Sequence, residues 1–393
     1  MRNYITLFRY EWKKLWHHII VPIMLLIGCL FLTISMAFFY MGNGYAYLYH
    51  ADDRSVERVS APYLKIEQEG KEYLETLSGR IFDAGLMEQL SQNYSDSILG
   101  SKQWNLNEYA PFLYLNTLED HASASFEDYY SNTGTLEYLK NNNATEEELS
   151  YWDKQLTKQT PIVLDYCGGW LSIIRHSDIL SLLTILIVGI GLCPSFSEEH
   201  KNRTDQLLLS SKNGKCTLFL AKLLASICYA IFVPLILYGV QLLISTILFG
   251  LNGFFAPLQI WSEGGDLWNY SVGQFSLMLT GILILSSIML ASMIVTISEI
   301  TRNSVPTAII PFAVAGVSLL CDFTQVSSSV SRIVNYFPTI RVSPITLQDY
   351  HLVRIFGHEL NCLEFSPILY MVLTVFFSLI CWVSYSHYQV NEK

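Results

Sequence analysis

Apolar residues are gathered into six long stretches of this chain, and polar residues lie between them. A bilayer core about 30 Å thick needs about 20 apolar residues as an α-helix, and only helices or closed barrels satisfy their backbone there. The stretches are too long for barrel strands, and none carries a charge at its middle. The pattern therefore predicts an all-α polytopic membrane protein. Its six transmembrane helices are expected at residues 19–40, 178–196, 217–249, 273–297, 305–321 and 366–386.

The first 18 residues mix apolar and charged positions at helical spacing. We predict an amphipathic interfacial helix at 1–18, since tryptophan and lysine suit the headgroup layer. Its interfacial residues are Glu11, Trp12, Lys13, Lys14 and Trp16. The alternative is a plain extension of span 1. The basic start also resembles a signal peptide, but the apolar run is too long for one and lacks a clear cleavage site. We therefore expect it to remain as span 1.

The stretch at 217–249 is too long for one vertical crossing. We expect its beginning to lie partly in the interface, with Lys222 extending towards the headgroups.

The longest polar segment, residues 41–177, is strongly acidic. It has 21 acidic and 10 basic residues, a net charge of −11, which argues against a nucleic acid as partner. Thr145 and Glu148 fit a capping box at the start of a helix, and an earlier helix is expected to end near Gly79. No alternating strand pattern is evident, so we predict a mainly helical extracellular domain between helices 1 and 2.

Basic residues in the short loops predict the orientation. They occur at the N-terminus, in the segment 197–216 and at Arg302, which six spans place on one side. We expect a multi-pass protein of the cytoplasmic membrane with both termini cytoplasmic. Residues 322–365 are then an extracellular loop or a set of re-entrant helices.

Signatures of catalysis and of metal binding are weak. No phosphate-binding GxxxxGK[ST] motif occurs, so the chain is not expected to hold nucleotide phosphates in that way. We expect no cofactor in this chain. His358 begins a sequence like the zinc motif HExxH, but its second ligand position is Cys362, so we expect no metal site. Cys321 and Cys362 bracket the last outer loop and either pair or stay free. Ion-driven carriers usually have ionisable residues at the membrane midplane, and here the charges lie at span ends.

The segment 197–216 contains an acidic pair, a threonine and a leucine cluster, followed by Lys222. This order resembles the first cytoplasmic loop of the ABC-2 type permease family, the membrane subunits of type V ABC exporters. Arg203 replaces the usual glycine, and Lys212 stands where proline is common. The resemblance implies ATPase coupling by Glu198, Glu199, Arg203, Thr204, Asp205, Leu207, Leu208 and Leu209.

The resemblance also implies partners. They are separate ABC ATPase subunits that hold ATP and Mg, a second copy of the permease or a paralogue, and membrane lipids. The family's dimer seam lies at spans 2 and 5. A short leucine-rich helix can dock into a groove of a soluble partner, whereas the alternative is a solvated connector.

These features predict the permease subunit of an ATP-driven exporter that moves a hydrophobic or amphipathic substrate. An acidic outer domain attracts cations, so Glu146, Glu147 and Glu148 are candidate ligands for a cationic peptide such as an antimicrobial one. The alternative is a solvated cap. The competing functions are a membrane sensor with an extracellular ligand domain and a secondary carrier.

Overall fold

The computed structural model describes residues 2–50, 55–83, 85–86, 136, 139–141, 144–158, 161–201, 216–260, 267–320 and 333–387. These residues are mostly helical, with two short antiparallel hairpins. The helices are α1 (Arg2–His17), α2 (Ile20–Met41), α3 (Tyr63–Leu77), α4 (Glu146–Leu156), α5 (Gly168–Arg175), α6 (Ser177–Leu192), α7 (Pro194–Lys201), α8 (Cys216–Leu248), α9 (Val272–Thr301), α10 (Ser304–Leu320), α11 (Pro338–Arg341) and α12 (Cys362–His387). The strands are β1 (Asn43–His50), β2 (Ser55–Pro62), β3 (Val353–Ile355) and β4 (His358–Leu360).

Among the described residues, five helical segments are long and apolar enough to cross a membrane. They lie in α2, α6 with α7, α8, α9 and α12, so the chain has the character of a multi-pass membrane protein. The predicted span at 305–321 corresponds to α10, which has 17 residues and a length of about 25 Å at 1.5 Å per residue. It is shorter than the other five, so the sixth span stays a prediction.

Helix α9 lies at the centre of the bundle, where it contacts α6, α8, α10 and α12. Small residues bring α6 close to its neighbours. A Cβ atom on Gly189 would collide with the Pro311 ring of α10, and one on Gly191 would collide with the Tyr229 ring of α8. Close backbone approach of this kind is the usual source of helix association in membranes, where lipid offers no hydrophobic driving force.

The bundle has two ends with different residues. At the first end, Phe196, Phe219 and Tyr385 form an aromatic cluster where α7, the start of α8 and the end of α12 meet. At the second end, the Tyr40 ring contacts Phe249, with ring centroids 4.5 Å apart, where α2 and α8 finish. Successive long helices therefore run in alternating directions.

The interpretation that residues 41–177 carry no alternating strand pattern was wrong at their beginning. Strands β1 and β2 form an antiparallel hairpin in which Asn43 lies opposite Pro62 and His50 lies opposite Ser55. The missed signal was Tyr45, Tyr47 and Tyr49, which alternate with smaller or aliphatic residues. Aromatic residues at a period of two favour a pleated strand.

A second hairpin lies inside the predicted outer loop at 322–365. Strands β3 and β4 are joined by Phe356 and Gly357, which have φ angles of 49° and 84°. Two consecutive positive φ angles are typical of the tight turn that matches the twist of a hairpin. His358 and Glu359, the start of the HExxH-like sequence, therefore lie on a strand.

Candidate functional site

Helix α1 packs along the first half of α8 through aromatic side chains. The Trp12 ring lies 5.4 Å from Phe232, and the Trp16 ring lies 5.7 Å from Tyr229, measured between centroids. The two tryptophans also contact each other at 5.7 Å. Both predicted interfacial tryptophans therefore bind α1 to a spanning helix, which places α1 on the bundle itself.

Helix α1 also carries charges that meet two other segments. The Lys14 Nζ atom donates a hydrogen bond to Glu199 Oε1 of α7 at 3.1 Å, and Lys222 of α8 donates to the other oxygen of Glu199. Glu11 is buried beside them, with 6% of its surface exposed, whereas Lys13 is exposed. We call Glu11, Lys14, Glu199 and Lys222 the charge network.

Lys222 is the most deeply enclosed member of the charge network. Only 3% of its surface is exposed, its amine lies 4.4 Å from the centre of the Phe196 ring, and it reaches the Ser195 carbonyl at 3.4 Å. The expectation that Lys222 extends to the headgroups was therefore wrong. The physical reason is Glu199, since a buried carboxylate can hold an amine inside the protein.

Electrostatics within the charge network favour an ionised Lys14. Burial lowers the pKa of Lys14, but the carboxylates of Glu199 and Glu11 outweigh this effect and raise its pKa above the ordinary value. Burial raises the pKa of Glu11, and the amines of Lys222 and Lys14 offset only part of that rise. Two amines thus face two carboxylates, an arrangement suited to joining three segments.

A small cavity borders the charge network. Its polar lining comes from α1, α7 and α8, and includes Glu11, Lys14, Glu198, Lys222 and Ser226. Among the described residues, no three side chains of metal-ligating type lie together. The chemistry available in this cavity is ion pairing and hydrogen bonding.

Two of the eight predicted coupling residues, Glu198 and Glu199, lie near the end of α7. Arg203, Thr204, Asp205, Leu207, Leu208 and Leu209 lie outside the described residues, so their role stays a prediction. The sequence singled out Glu199, Lys14 and Lys222 separately. What it missed was their contact with one another, because no local spacing relates positions so far apart.

At the second end of the bundle, α4 begins with the predicted capping box, which is confirmed. The Thr145 hydroxyl accepts from the Glu148 backbone N–H, and the Glu148 side chain accepts from the Thr145 backbone N–H. Glu148 Oε1 also accepts from the Leu352 backbone N–H at 3.2 Å and lies 3.3 Å from His351 Nδ1. Glu147 accepts from Arg354 at 2.9 Å, so a cationic peptide would compete with these internal partners. Its binding by Glu146, Glu147 and Glu148 stays a prediction.

We expect Glu148 to make stability depend on pH. Burial raises its pKa, but the hydrogen bonds from His351, Thr145 and Leu352 outweigh this and lower its pKa from 4.5 to about 2. The stability that Glu148 contributes is therefore complete above pH 4.5 and is lost as the pH falls towards 2. Denaturant unfolding at about pH 5 and about pH 3 should show a smaller loss of stability in Glu148→Gln than in the wild type.

The matched control for this pH effect is Glu147→Gln, because the Glu147–Arg354 pair is exposed on both sides. Exposed pairs contribute little, so this variant should follow the wild-type pH dependence. Equal pH dependence in the wild type and Glu148→Gln would contradict the assignment.

Cys362 begins α12 and is buried, and its thiol lies 3.7 Å from the Thr346 carbonyl oxygen that accepts from it. Cys321 lies outside the described residues. The pairing of Cys321 with Cys362 therefore stays a prediction.

The structure establishes helices fit to cross a membrane several times and a charge network that joins three of its segments. Comparison with known proteins adds no relative, since no protein-family model, curated protein or solved structure matches the chain.

Proposed function

We propose that this chain is the permease subunit of an ATP-driven ABC exporter of the ABC-2 type. It works as a dimer, with itself or a paralogue, and separate ATPase subunits bind ATP and Mg. The observation that carries the proposal is the charge network. It ties the N-terminal helix α1 to the spanning helix α8 through Glu199 of α7, a residue that the resemblance assigns to ATPase coupling.

Movement at α7 would reach more than one spanning helix. The Ser298 hydroxyl of α9 accepts from the backbone N–H groups of Phe196 and Ser197 at 3.3 Å. The Ser197 hydroxyl also contacts Ser304, at the start of α10, with 2.6 Å between the oxygens. Because α7 is bonded to the ends of α9 and α10 as well as to α8, a push on α7 displaces these helices together.

In this proposal ATP binding closes the ATPase dimer, which pushes α1 and the segment that follows α7. The spanning helices then repack and release a hydrophobic or amphipathic substrate on the other side. A peptide, such as an antimicrobial one, is the substrate class to test first, because the segment 41–177 is acidic. The chain supplies the path and the linkage, and its partner supplies the energy.

The test is purification of the tagged full chain from its native membrane in mild detergent, followed by mass spectrometry of the proteins that remain bound. We expect an ATPase with a phosphate-binding loop in stoichiometric amount. Changing Leu207, Leu208 and Leu209 together to aspartate should remove it, because a docking helix loses its apolar contact.

Phe356→Asp is the matched control, since it also places aspartate at an apolar position but in a fully exposed turn at the second end. The Phe356→Asp variant should still co-purify with the ATPase. A preparation without any ATPase would favour a sensor or a secondary carrier instead. Transport by the purified chain in liposomes that contain no ATPase would favour the carrier.

A further inference from the structure

The helix bundle contains buried polar atoms that have no hydrogen-bond partner within the described part of the chain. The hydroxyl of Tyr238, the carbonyl oxygen of the Gln241 side chain and the hydroxyl of Ser276 accept or donate no hydrogen bond among the described residues. Their residues are 9%, 0% and 1% exposed. Buried polar groups nearly always have a hydrogen-bond partner in the protein or in an ordered water molecule. The hydrocarbon of the lipid offers no such partner.

These three residues line one small cavity. It lies between α5, α6, α8 and α9 towards the second end of the bundle, and it has room for about one water molecule. Tyr238 and Gln241 are three residues apart on α8 and so share a helix face. Ser276 faces them from the second turn of α9.

The cavity wall is neutral and partly held by its own hydrogen bonds. Gln241 donates from Nε2 to the Ile173 carbonyl at 2.9 Å, which leaves its Oε1 atom as an acceptor at the cavity. The other lining residues are Ile173, Ile174, Ser177, Leu180, Leu279, Thr280 and Val342. A charged ligand would lack a counterion among these side chains and would not be stabilised.

The segment that follows α11 covers the cavity. Val342 lines it, and the Ser177 hydroxyl donates to the Val342 carbonyl at 2.5 Å. Ser177 also donates to the Ile174 carbonyl at 2.7 Å, so this hydroxyl is shared between its own helix and the covering segment.

We propose that this cavity is a binding site for a small neutral group that both donates and accepts hydrogen bonds. Gln241 Oε1 requires a donor, and the hydroxyls of Tyr238 and Ser276 accept or donate. Water and the hydroxyl group of an amphipathic molecule share this chemistry. The site goes beyond the proposed function, because it requires no ATPase and no particular substrate.

The test is X-ray radiolytic labelling of the full chain in lipid nanodiscs, in ¹⁸O-water, with mass spectrometry of the modified residues. Tyr238 should be labelled faster than Tyr229, because water bound beside it is split into hydroxyl radicals next to a buried ring. Tyr229 is the matched control. It lies on the same helix, is fully buried and donates to the Ile187 carbonyl at 3.2 Å. Equal labelling of the two tyrosines would overturn the proposal.

Two added probes distinguish the sources of the ligand. If 1-decanol lowers the labelling of Tyr238, the site accepts an organic hydroxyl group, and if it does not, water is the ligand. Either result supports the site. Protection by decyltrimethylammonium equal to that by decanol would overturn it, because that cation carries no hydrogen-bonding group.

Thermal unfolding of Tyr238→Phe gives a second and independent measurement. Removal of a hydroxyl that binds a ligand should lower the unfolding temperature, whereas removal of an unsatisfied one leaves it unchanged or raises it. An unchanged or raised temperature would therefore contradict the proposal, whatever the labelling of the wild type.

Discussion

Lys222→Met is expected to destabilise the folded protein by about 3–5 kcal/mol, the usual cost of removing one partner of a buried ion pair. Lys222 is almost fully enclosed, and its removal takes from Glu199 an amine far more deeply buried than that of Lys14, whose side chain is 30% exposed. Glu11 would also lose one of the two amines near it. Tryptophan fluorescence during denaturant titration in detergent would measure the change, since Trp12 and Trp16 pack beside the charge network.

Lys13→Met is the matched control for this prediction. It removes the same charge from an exposed position on α1, and such surface changes are usually within about 0.5 kcal/mol. The double variant Glu199→Gln with Lys222→Met should recover part of the loss, because the carboxylate that Lys222 balanced is removed as well. If Lys222→Met were as stable as Lys13→Met, the charge network would have no role in stability.

Trp152→Ala is expected to cost about 3–5 kcal/mol at the second end of the bundle, as for other buried aromatic residues. Trp152 is 1% exposed and packs edge-on against Trp268, with ring centroids 4.9 Å apart. Its indole N–H also donates to the Tyr350 carbonyl at 2.8 Å. This side chain therefore fixes α4 to the segments that flank α9 and α12. Limited proteolysis should show earlier cleavage within residues 144–158, and thermal unfolding should shift down.

Trp152→Phe separates packing from hydrogen bonding. The smaller ring keeps much of the aromatic contact but removes the hydrogen bond from Trp152 to the Tyr350 carbonyl, so we expect a loss of about 1–3 kcal/mol. Lys154→Ala, at an exposed position of the same helix, should change little. Equal losses in the alanine and phenylalanine variants would show that the hydrogen bond, rather than the packed ring, holds α4 in place.

The apolar stretches predicted most of the helices because length and hydropathy are properties of the chain itself. Each of the five segments fit to cross a membrane lies on a predicted span. The capping box at Thr145 was also predictable, since its hydrogen bonds join residues three positions apart. The hairpin at β1 and β2 was missed because tyrosines at alternate positions were treated as part of an acidic, helical segment.

The amino-acid sequence thus determined where the helices form, and only the tertiary structure decided which of their faces meet. Helical spacing places Glu11 and Lys14 on one face of α1. It does not specify that Glu199 and Lys222 lie beside them in the charge network. The same holds for the cavity, where the side-chain oxygens of Tyr238, Gln241 and Ser276 are buried only because α8 and α9 pack together. The physical reason is that burial turns a charge or a hydroxyl into a group that requires a partner, and burial is set by contacts between distant segments.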